Sequence, residues 1–356
     1  MRADVFCKVI DNLGDIGVIW RLVRELASQH DWQLRLWVDD LATFNKLQPA
    51  IDPSQQRQRI QNIEIHRWPS TWISVDPYRV VIAGFSCDLP DAFIRAMAQQ
   101  PNPVWIQLEY LSAESWVESF HGQQSLRDDK LRPVFFFPGF SAGTGGLILE
   151  RSLLERRDQW LSDRDMRESW LIQLGVRHHK DAKLVSMFTY EHAPVDALLR
   201  QLGSVPGQFH LLFPSGSQIP KDSQAIENVV CQSIPFLEQS QYDQLLWSCD
   251  LNFVRGEDSL VRAIWAGKPL FWQIYRQADG VHHNKLAAWL KLANLPAPLE
   301  TAMHQWSDGQ LTTTLAAWLD SDGWRSWQLA SKRFSDQLVR QPSLTDKLAQ
   351  WCQATP

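Results

Sequence analysis

The chain has 356 residues, of which 44% are hydrophobic and 21% charged, and its formal net charge is −5. This composition predicts folded domains, about two at roughly 150 residues each, and excludes a disordered chain. The net negative charge gives no general attraction to nucleic acid or to an anionic membrane, so neither is expected as a partner.

Cysteine usage and the N-terminus bear on the compartment. The five cysteines are scattered, and none shows a CxxC or Cys/His ligand spacing. An odd number of cysteines in a long chain is typical of free thiols in a reducing compartment. The N-terminus carries charges at Arg2, Asp4 and Lys8, and no stretch of about 20 apolar residues occurs in the sequence. We therefore expect a soluble, cytoplasmic protein without a signal peptide.

A candidate site is expected within the first twenty residues. The apolar run Val5–Ile10 predicts a buried strand, and Val18–Ala27 predicts an amphipathic helix. Between them lies a turn with two glycines and two carboxylates, which in an α/β protein lies at the carboxyl end of the sheet, where ligands bind. Asp11 and Asp15 are thus candidate acid/base groups. Binding of a divalent ion by the same two carboxylates is the less favoured interpretation. Alternatively, Asp11 only caps the helix or closes an Asx-turn.

The first half of the chain alternates strand and helix patterns, which predicts a mostly parallel sheet with crossover helices. A further helix is predicted at Asp91–Ala98. The predicted strands after the first are Gln33–Val38, Ile63–His66, Arg79–Ala83, Val104–Leu108 and Val134–Phe137.

The pattern restarts after a charged, helical segment (Glu150–Leu174) and a polar linker near 175–182. The strands predicted in this half are Leu184–Phe188, His210–Phe213, Val229–Cys231, Leu251–Val254 and Leu270–Ile274. Its predicted helices are Val195–Leu202, Tyr242–Trp247, Ser259–Ala266 and His282–Leu292, and the last 55 residues are helical by pattern, with breaks at Gly309, Gly323 and Pro342. We therefore predict two tandem Rossmann-like domains facing a cleft, at 1–178 and 179–339, with a C-terminal helix at about 340–356 that joins the first domain.

A second candidate site follows the strand that ends at Val254. The turn after it is polar, and Asp258 or Ser259 can cap the next helix, which Gly267 ends before Pro269 starts a strand. A helix N-terminus with free N–H groups suits a diphosphate, and this layout is found in the donor domain of two-domain nucleotide-sugar transferases. The alternative is a structural helix with surface charges.

Other motifs give weaker evidence of a functional site. The segment Asn12–Gly17 lacks the GxGxxG spacing of a dinucleotide fold and the Walker A pattern, which argues against a dehydrogenase. The glycine-rich turn Phe140–Gly146 either lies near the donor phosphates or is structural. The pairs His178–His179 and His282–His283 are adjacent residues whose side chains point in different directions on one element, so we expect surface or packing roles and no metal site.

Taken together, several motifs resemble one family, the EarP protein-arginine rhamnosyltransferases that act on elongation factor P. The resemblance covers nearly the whole chain in order. The motifs that carry it are Asp11-Asn12-x-Gly-Asp15-Ile16-Gly17 with Trp20-Arg21, Leu108-Glu109-Tyr110-Leu111, Phe136-Phe137-Pro138-Gly139-Phe140 with Thr144-Gly145-Gly146, and Arg255-Gly256-Glu257-Asp258-Ser259 with Ala266-Gly267-Lys268-Pro269.

The resemblance implies a GT-B enzyme that transfers L-rhamnose from dTDP-β-L-rhamnose, with inversion and without a metal or other cofactor, to an arginine in the N-terminal domain of elongation factor P. It matches Asp11, Asp15 and Glu257 to essential carboxylates of the family. Our hypothesis is that Asp15 is the general base and that Asp11 and Glu257 bind the acceptor guanidinium. Gly14 would permit close approach of the sugar. The implied donor-binding residues of the second domain are Phe188, Tyr190, Phe236, Gln239, Tyr242, Arg255, Asp258, Ser259 and Tyr275.

Two other functions stay open on the residues alone. A nucleotide-sugar transferase with a small-molecule acceptor would need the same donor pocket but no protein partner. A non-catalytic protein that binds an elongation factor would need no base at Asp15.

Overall fold

The computed structural model describes residues 1–10, 13–69, 75–277 and 279–355. The chain divides into two compact units, Met1–Arg151 with Gln341–Pro356 and Ser152–Arg340. Residues 152–178, which the sequence placed in the first domain, pack within the second unit; for example, the Trp160 indole donates to Ser248 Oγ at 2.9 Å.

The first unit is built on a seven-stranded sheet with the order β3-β4-β2-β1-β5-β6-β7. All neighbours pair in parallel except β3 and β4, which form an antiparallel pair at the edge. Its strands are β1 (Arg2–Cys7), β2 (Gln33–Val38), β3 (Arg57–Ile60), β4 (Ile63–Arg67), β5 (Val80–Gly84), β6 (Val104–Leu108) and β7 (Val134–Phe136), and its helices are α1 (Gly14–Gln29), α2 (Leu41–Leu47), α3 (Asp91–Met97), α4 (Trp116–Phe120) and α14 (Leu344–Ala354).

Both faces of this sheet are covered, as a parallel sheet requires. Alternate residues of β1 supply the two cores: Val5 packs with Ile19 of α1 and Leu348 of α14, whereas Phe6 packs with Phe93 of α3 on the other face. The C-terminal helix therefore completes the core of the first unit.

The second unit has a five-stranded, all-parallel sheet with the order β10-β9-β8-β11-β12. Its strands are β8 (Ala182–Met187), β9 (Gln208–Pro214), β10 (Val229–Ile234), β11 (Leu251–Arg255) and β12 (Leu270–Gln273), and its helices are α5 (Leu153–Ser162), α6 (Arg164–Gln173), α7 (Val195–Gly203), α8 (Gln239–Ser248), α9 (Gly256–Ala266), α10 (Val281–Ala293), α11 (Ala297–Ser307), α12 (Ala316–Leu319) and α13 (Ser321–Leu338). Both units thus have the predicted Rossmann-like α/β class. No helix of the described residues is long and apolar enough to cross a membrane.

Three local predictions were wrong. Strand β1 ends at Cys7 and not at Ile10, because carboxylates take over the next backbone N–H groups: Val9 N donates to Asp39 and Ile10 N to Asp15. Gly323 does not break a helix but lies in the first turn of α13, where a Cβ would fall 1.8 Å from the Ala317 carbonyl oxygen. Helix α9 begins at Gly256, so neither Asp258 nor Ser259 caps it.

The remaining boundaries agree closely with the predicted ones. Gly267 ends α9 in the left-handed conformation (φ +66°), and β12 begins directly after Pro269, as predicted. Helix α2, strand β3 and helix α4 were missed, because each is short or lacks a clear hydrophobic period.

Candidate active site

Asp15 lies at the start of α1, at the carboxyl edge of the first sheet. Gly14 is the first residue of the helix, so Gly14, Asp15 and Gly17 belong to its first turns and not to a free loop. The Asp15 side chain is 3% exposed, and its Oδ2 accepts the Ile10 N–H at 2.8 Å. Asp11, the other predicted carboxylate of this turn, lies outside the described residues.

The Cys7 thiol, at the end of β1, is close enough to Asp15 to respond to its charge. Burial, followed by the negative charge of Asp15, raises the pKa of the Cys7 thiol well above its usual value. The Cys87 thiol lies beside the same strand end, 3.8 Å from the Phe6 carbonyl oxygen. Asp15 is therefore a buried residue whose negative charge acts on the Cys7 thiol.

A second carboxylate of the first unit follows β6, beside the end of β5. Phe85 and Ser86 both adopt left-handed conformations (φ +53° and +52°), which L residues rarely do. This turn brings the Ser86 hydroxyl into a short hydrogen bond with Glu109, while the Phe85 ring stacks on Tyr110 at 4.7 Å. Burial raises the pKa of Glu109. The sequence singled out Glu109 only within a family motif, although a carboxylate directly after a buried strand is itself a signal of a site.

In the second unit, Arg255 forms the centre of an aromatic cluster. Its guanidinium carbon lies 4.7 Å from the centre of the Phe188 ring and 4.8 Å from that of Tyr190. Its Nη1 also donates to the Thr189 carbonyl oxygen at 3.0 Å. Cation–π contact with two rings and a hydrogen bond hold the guanidinium in place, so its charge is preorganised for an anion.

Tyr190 is fixed from several sides. Its backbone N–H donates to Oε1 of the fully buried Gln273 at 2.7 Å. Its ring meets Tyr275 edge-on at 5.9 Å and lies parallel to His192 at 6.0 Å. The sequence predicted Tyr190 and Tyr275 but missed Gln273 and His192; nothing in their local pattern marks them, since Gln273 reads as part of an apolar strand.

The opposite side of the Phe188 ring contacts helix α8. Phe188 and Tyr242 have their ring centres 5.4 Å apart. Tyr242 Oη is buried beside Ser259 and makes no hydrogen bond of ordinary geometry within the described residues, and burial raises the pKa of this hydroxyl. Ser259 is 7% exposed. The structure thus brings Phe188, Tyr190, Tyr242, Arg255, Ser259 and Tyr275 together at one edge of the second sheet.

A buried ion pair joins the two helices that carry these residues. Arg262 of α9 binds Asp243 of α8 through two hydrogen bonds of 2.8 Å, and both side chains are at most 5% exposed. The pair fixes the spacing between Tyr242 and Ser259, because each lies on the same helix as one partner. Gln239, at the start of α8, is 6% exposed, whereas Phe236 ahead of that helix is 44% exposed.

The first turn of α9 contains two acidic residues, Glu257 and Asp258. Glu257 Oε1 binds Lys285 Nζ of α10 at 2.7 Å. The Gly256 carbonyl oxygen accepts the Trp272 indole N–H at 2.8 Å, and Gly256 itself has φ +68°. The helix start is therefore anchored to β12.

The structure also shows what the His282–His283 pair and the glycine-rich 140–146 turn contact. The rings of His282 and His283 are 4.1 Å apart, so the expectation that they diverge was wrong. Together with Asp308 they form a group close enough to hold an ion, but His282 Nδ1 already accepts the Gln277 N–H at 3.2 Å. The 140–146 turn has structural contacts within the first unit, because Lys347 donates to the carbonyl oxygens of Ala142 and Thr144.

The fold, with two Rossmann-like units, is the one found in glycosyltransferases of the GT-B type. Among solved structures, the chain is similar to MurG of Acinetobacter baumannii (12% identity, 99% of both chains, TM-score 0.51). It is also similar to UGT2 of Phytolacca americana (10% identity, 99% of both chains, TM-score 0.57). These likenesses concern the fold alone.

The family to which the chain belongs is a narrower group than the proteins that share its fold. The model described as "Elongation-Factor P (EF-P) rhamnosyltransferase EarP" matches residues 3–353, and the chain belongs to this family. It is 41% identical to the protein-arginine rhamnosyltransferase of Pseudomonas putida over 94% of this chain and 91% of that one, and 39% identical to that of Pseudomonas aeruginosa over 98% of each. A structure described as the basis for EarP-mediated arginine glycosylation of translation elongation factor EF-P matches with 29% identity, 100% and 99% coverage and a TM-score of 0.65.

Proposed function

We propose that this protein transfers L-rhamnose from dTDP-β-L-rhamnose, with inversion, to one arginine in the N-terminal domain of elongation factor P. The observation that carries the proposal is the family match over residues 3–353, supported by relatives that bear the name protein-arginine rhamnosyltransferase. Because a translation factor works at the ribosome, the proposed reaction takes place in the cytoplasm.

The donor is proposed to bind at the aromatic cluster of the second unit. Arg255 and the N-terminus of α9 would bind the diphosphate, since a fixed guanidinium and free backbone N–H groups stabilise the charge that develops on the leaving group. The aromatic rings of Phe188, Tyr190 and Tyr242 would contact the thymine. With these groups at the diphosphate, the reaction needs no metal or other cofactor.

The acceptor poses an energetic problem, because a guanidinium is protonated and not nucleophilic. Moving its proton to a carboxylate before the attack would span about 8–9 pKa units, or roughly 11–12 kcal/mol at about 1.36 kcal/mol per unit. We therefore propose that the proton leaves as the new bond forms. The guanidinium nitrogen attacks C1 of the sugar, the bond from C1 to the phosphate oxygen breaks, and Asp15 takes the proton.

Carboxylates would orient the guanidinium for this attack, since bidentate hydrogen bonds fix both its direction and its plane. Asp11 and Glu257 are proposed for this role, with Gly14 allowing the sugar to approach the backbone. Asp15 is buried, and its carboxylate accepts a hydrogen bond from the Ile10 N–H, which fixes its orientation. A fixed orientation suits a general base.

The test is incubation of the purified protein with dTDP-rhamnose and elongation factor P, followed by mass spectrometry of the peptides. We expect a gain of one deoxyhexose on a single arginine-containing peptide. Transfer to a small molecule without transfer to the protein would favour the first alternative function. Binding of elongation factor P without any transfer, by a protein shown to be folded, would favour a non-catalytic role.

A further inference from the structure

Glu257 lies in the first turn of α9, where contacts of its neighbour hold the backbone. Its neighbour Gly256 is tied to Trp272 of β12 by a hydrogen bond of 2.8 Å, so the start of α9 cannot shift freely. The Glu257 side chain, however, has three rotatable bonds and is 20% exposed. A carboxylate that must bind a guanidinium in one direction needs a further contact to fix it.

Lys285 supplies that contact from a different helix. Its Nζ lies 2.7 Å from Glu257 Oε1, across 28 positions of sequence, and its side chain is 18% exposed. This partial shielding makes the ion pair stronger than one on an open surface, where such pairs contribute little.

Helix α10 holds Lys285 firmly. The next residue, Leu286, is fully buried, and Trp289 is 1% exposed and meets Trp272 edge-on at 5.6 Å. Trp272 therefore contacts both the start of α9 and the helix that carries Lys285. The two ends of the ion pair are fixed to the same indole, so their separation is set by the core.

We infer that Lys285 is a positioning residue, which holds the Glu257 carboxylate in the direction that the acceptor guanidinium requires. The inference rests on the role proposed for Glu257 in arginine rhamnosylation. A carboxylate has about four acceptor sites, so the hydrogen bond from Lys285 to Oε1 does not by itself prevent a guanidinium from binding to Glu257. Lys285 itself acts only through Glu257 and touches neither reacting atom.

The experiment compares the full-length protein with Lys285→Met, Lys285→Arg, Glu257→Gln and the double variant Lys285→Met/Glu257→Gln. With saturating dTDP-rhamnose, we expect Lys285→Met to lower kcat for elongation factor P about tenfold. The KM for elongation factor P should change much less, because the Glu257 carboxylate keeps its negative charge and still attracts the cation. Lys285→Arg should retain most of the activity, since it keeps the charge and the hydrogen bond.

The double variant separates positioning from a general structural role. If Lys285 acts through Glu257, Lys285→Met lowers the activity of the wild type but adds nothing to Glu257→Gln. An equal fold-loss in both backgrounds overturns the inference, as does wild-type kcat in Lys285→Met or in Glu257→Gln. The matched control is Lys291→Met, which removes an exposed lysine from the same helix and should leave kcat unchanged.

This outcome is distinct from failure of the proposed function. If the wild-type protein transfers no rhamnose to elongation factor P, the proposed function fails and the inference with it. If the wild type is active, the coupling between Lys285 and Glu257 alone decides the inference. Thermal unfolding of each variant, followed by circular dichroism, shows whether it is folded.

Discussion

The Arg255 guanidinium lies over the face of the Phe188 ring, with 4.7 Å between its central carbon and the ring centre. The centre of the Tyr190 ring lies 4.8 Å from the same carbon, so two aromatic rings contact this charge. A charge held in this way needs little reorganisation when an anion binds, which makes Arg255 the first residue to test.

We expect Arg255→Met to weaken binding of dTDP about 10-fold to 100-fold, because a charge-assisted hydrogen bond contributes about 1.5–3 kcal/mol. Isothermal titration calorimetry measures the change. Arg200→Met removes an exposed arginine from α7 of the same unit and should bind dTDP like the wild type. Equal binding by Arg255→Met and the wild type would exclude the proposed diphosphate contact.

For Asp15→Asn we expect a loss of transfer of about 100-fold or more, since a positioned base contributes roughly 10²–10⁴-fold. The amide oxygen can still accept the Ile10 N–H, so the melting temperature and dTDP binding should be unchanged. Asp39→Asn is the matched control, because Asp39 binds the neighbouring Val9 N–H at 2.9 Å. If both variants lost the same activity, anchoring of residues 9 and 10 would explain the result and a base at Asp15 would not be needed.

Tyr242→Phe should leave stability within about 1 kcal/mol, because the buried hydroxyl makes no hydrogen bond of ordinary geometry in the described part of the chain. The ring contact with Phe188 persists in this variant, so dTDP binding should stay within about twofold. Tyr242→Ala removes the ring and should weaken dTDP binding. Urea denaturation and calorimetry measure the two quantities, and a large effect of Tyr242→Phe would show that the hydroxyl itself contacts the donor.

Arg262→Met should destabilise the second unit by about 3–5 kcal/mol, because it leaves the Asp243 carboxylate buried without its charge partner. Replacing both residues, as Asp243→Leu/Arg262→Met, should restore part of this loss, since no buried charge remains. Urea denaturation of the single and double variants provides the comparison. A double variant that is as unstable as the sum of both single variants would contradict the explanation.

Stability should fall as the pH drops from about 6.5 towards 4. Burial, aided by the Lys347 ammonium, lowers the pKa of His121 to about 4. The unfolded chain binds a proton at His121 in this range and the folded chain does not, so acid favours unfolding. Thermal unfolding between pH 7 and pH 5 measures the effect. His121→Gln should show a weaker dependence on pH than the wild type; an unchanged slope would assign the effect to other groups.

The strands of the sheets could be predicted well from the sequence, but some of the strand ends could not. Strands such as Gln33–Val38 and Val104–Leu108 have the predicted bounds, because each is a short stretch, rich in apolar residues, between turn residues. Val9 and Ile10 are equally apolar, yet they leave the strand because side-chain carboxylates bind their N–H groups. Local pattern cannot show such a contact.

The sequence predicted which residues form the candidate site, but not which of them contact one another. The resemblance placed Phe188, Tyr190 and Arg255 in one pocket, and the structure brings them together. It gave no sign that the Arg255 guanidinium would contact both rings, nor that Lys285 would bind Glu257. These relations join residues that are far apart in sequence, and only the three-dimensional packing determines which of many charged residues meet.

Helix α14 has a consequence for how the protein is made. Residues 344, 348, 349 and 352 are part of the same buried cluster as the first strand, although the whole second unit separates them from it in the chain. During synthesis, the ribosome therefore completes the second unit while the first still lacks a helix of its core. The core of the first unit is therefore complete only after residues 344–352 have been synthesised. We expect nascent chains that stop before residue 344 to expose apolar surface and to depend on chaperones.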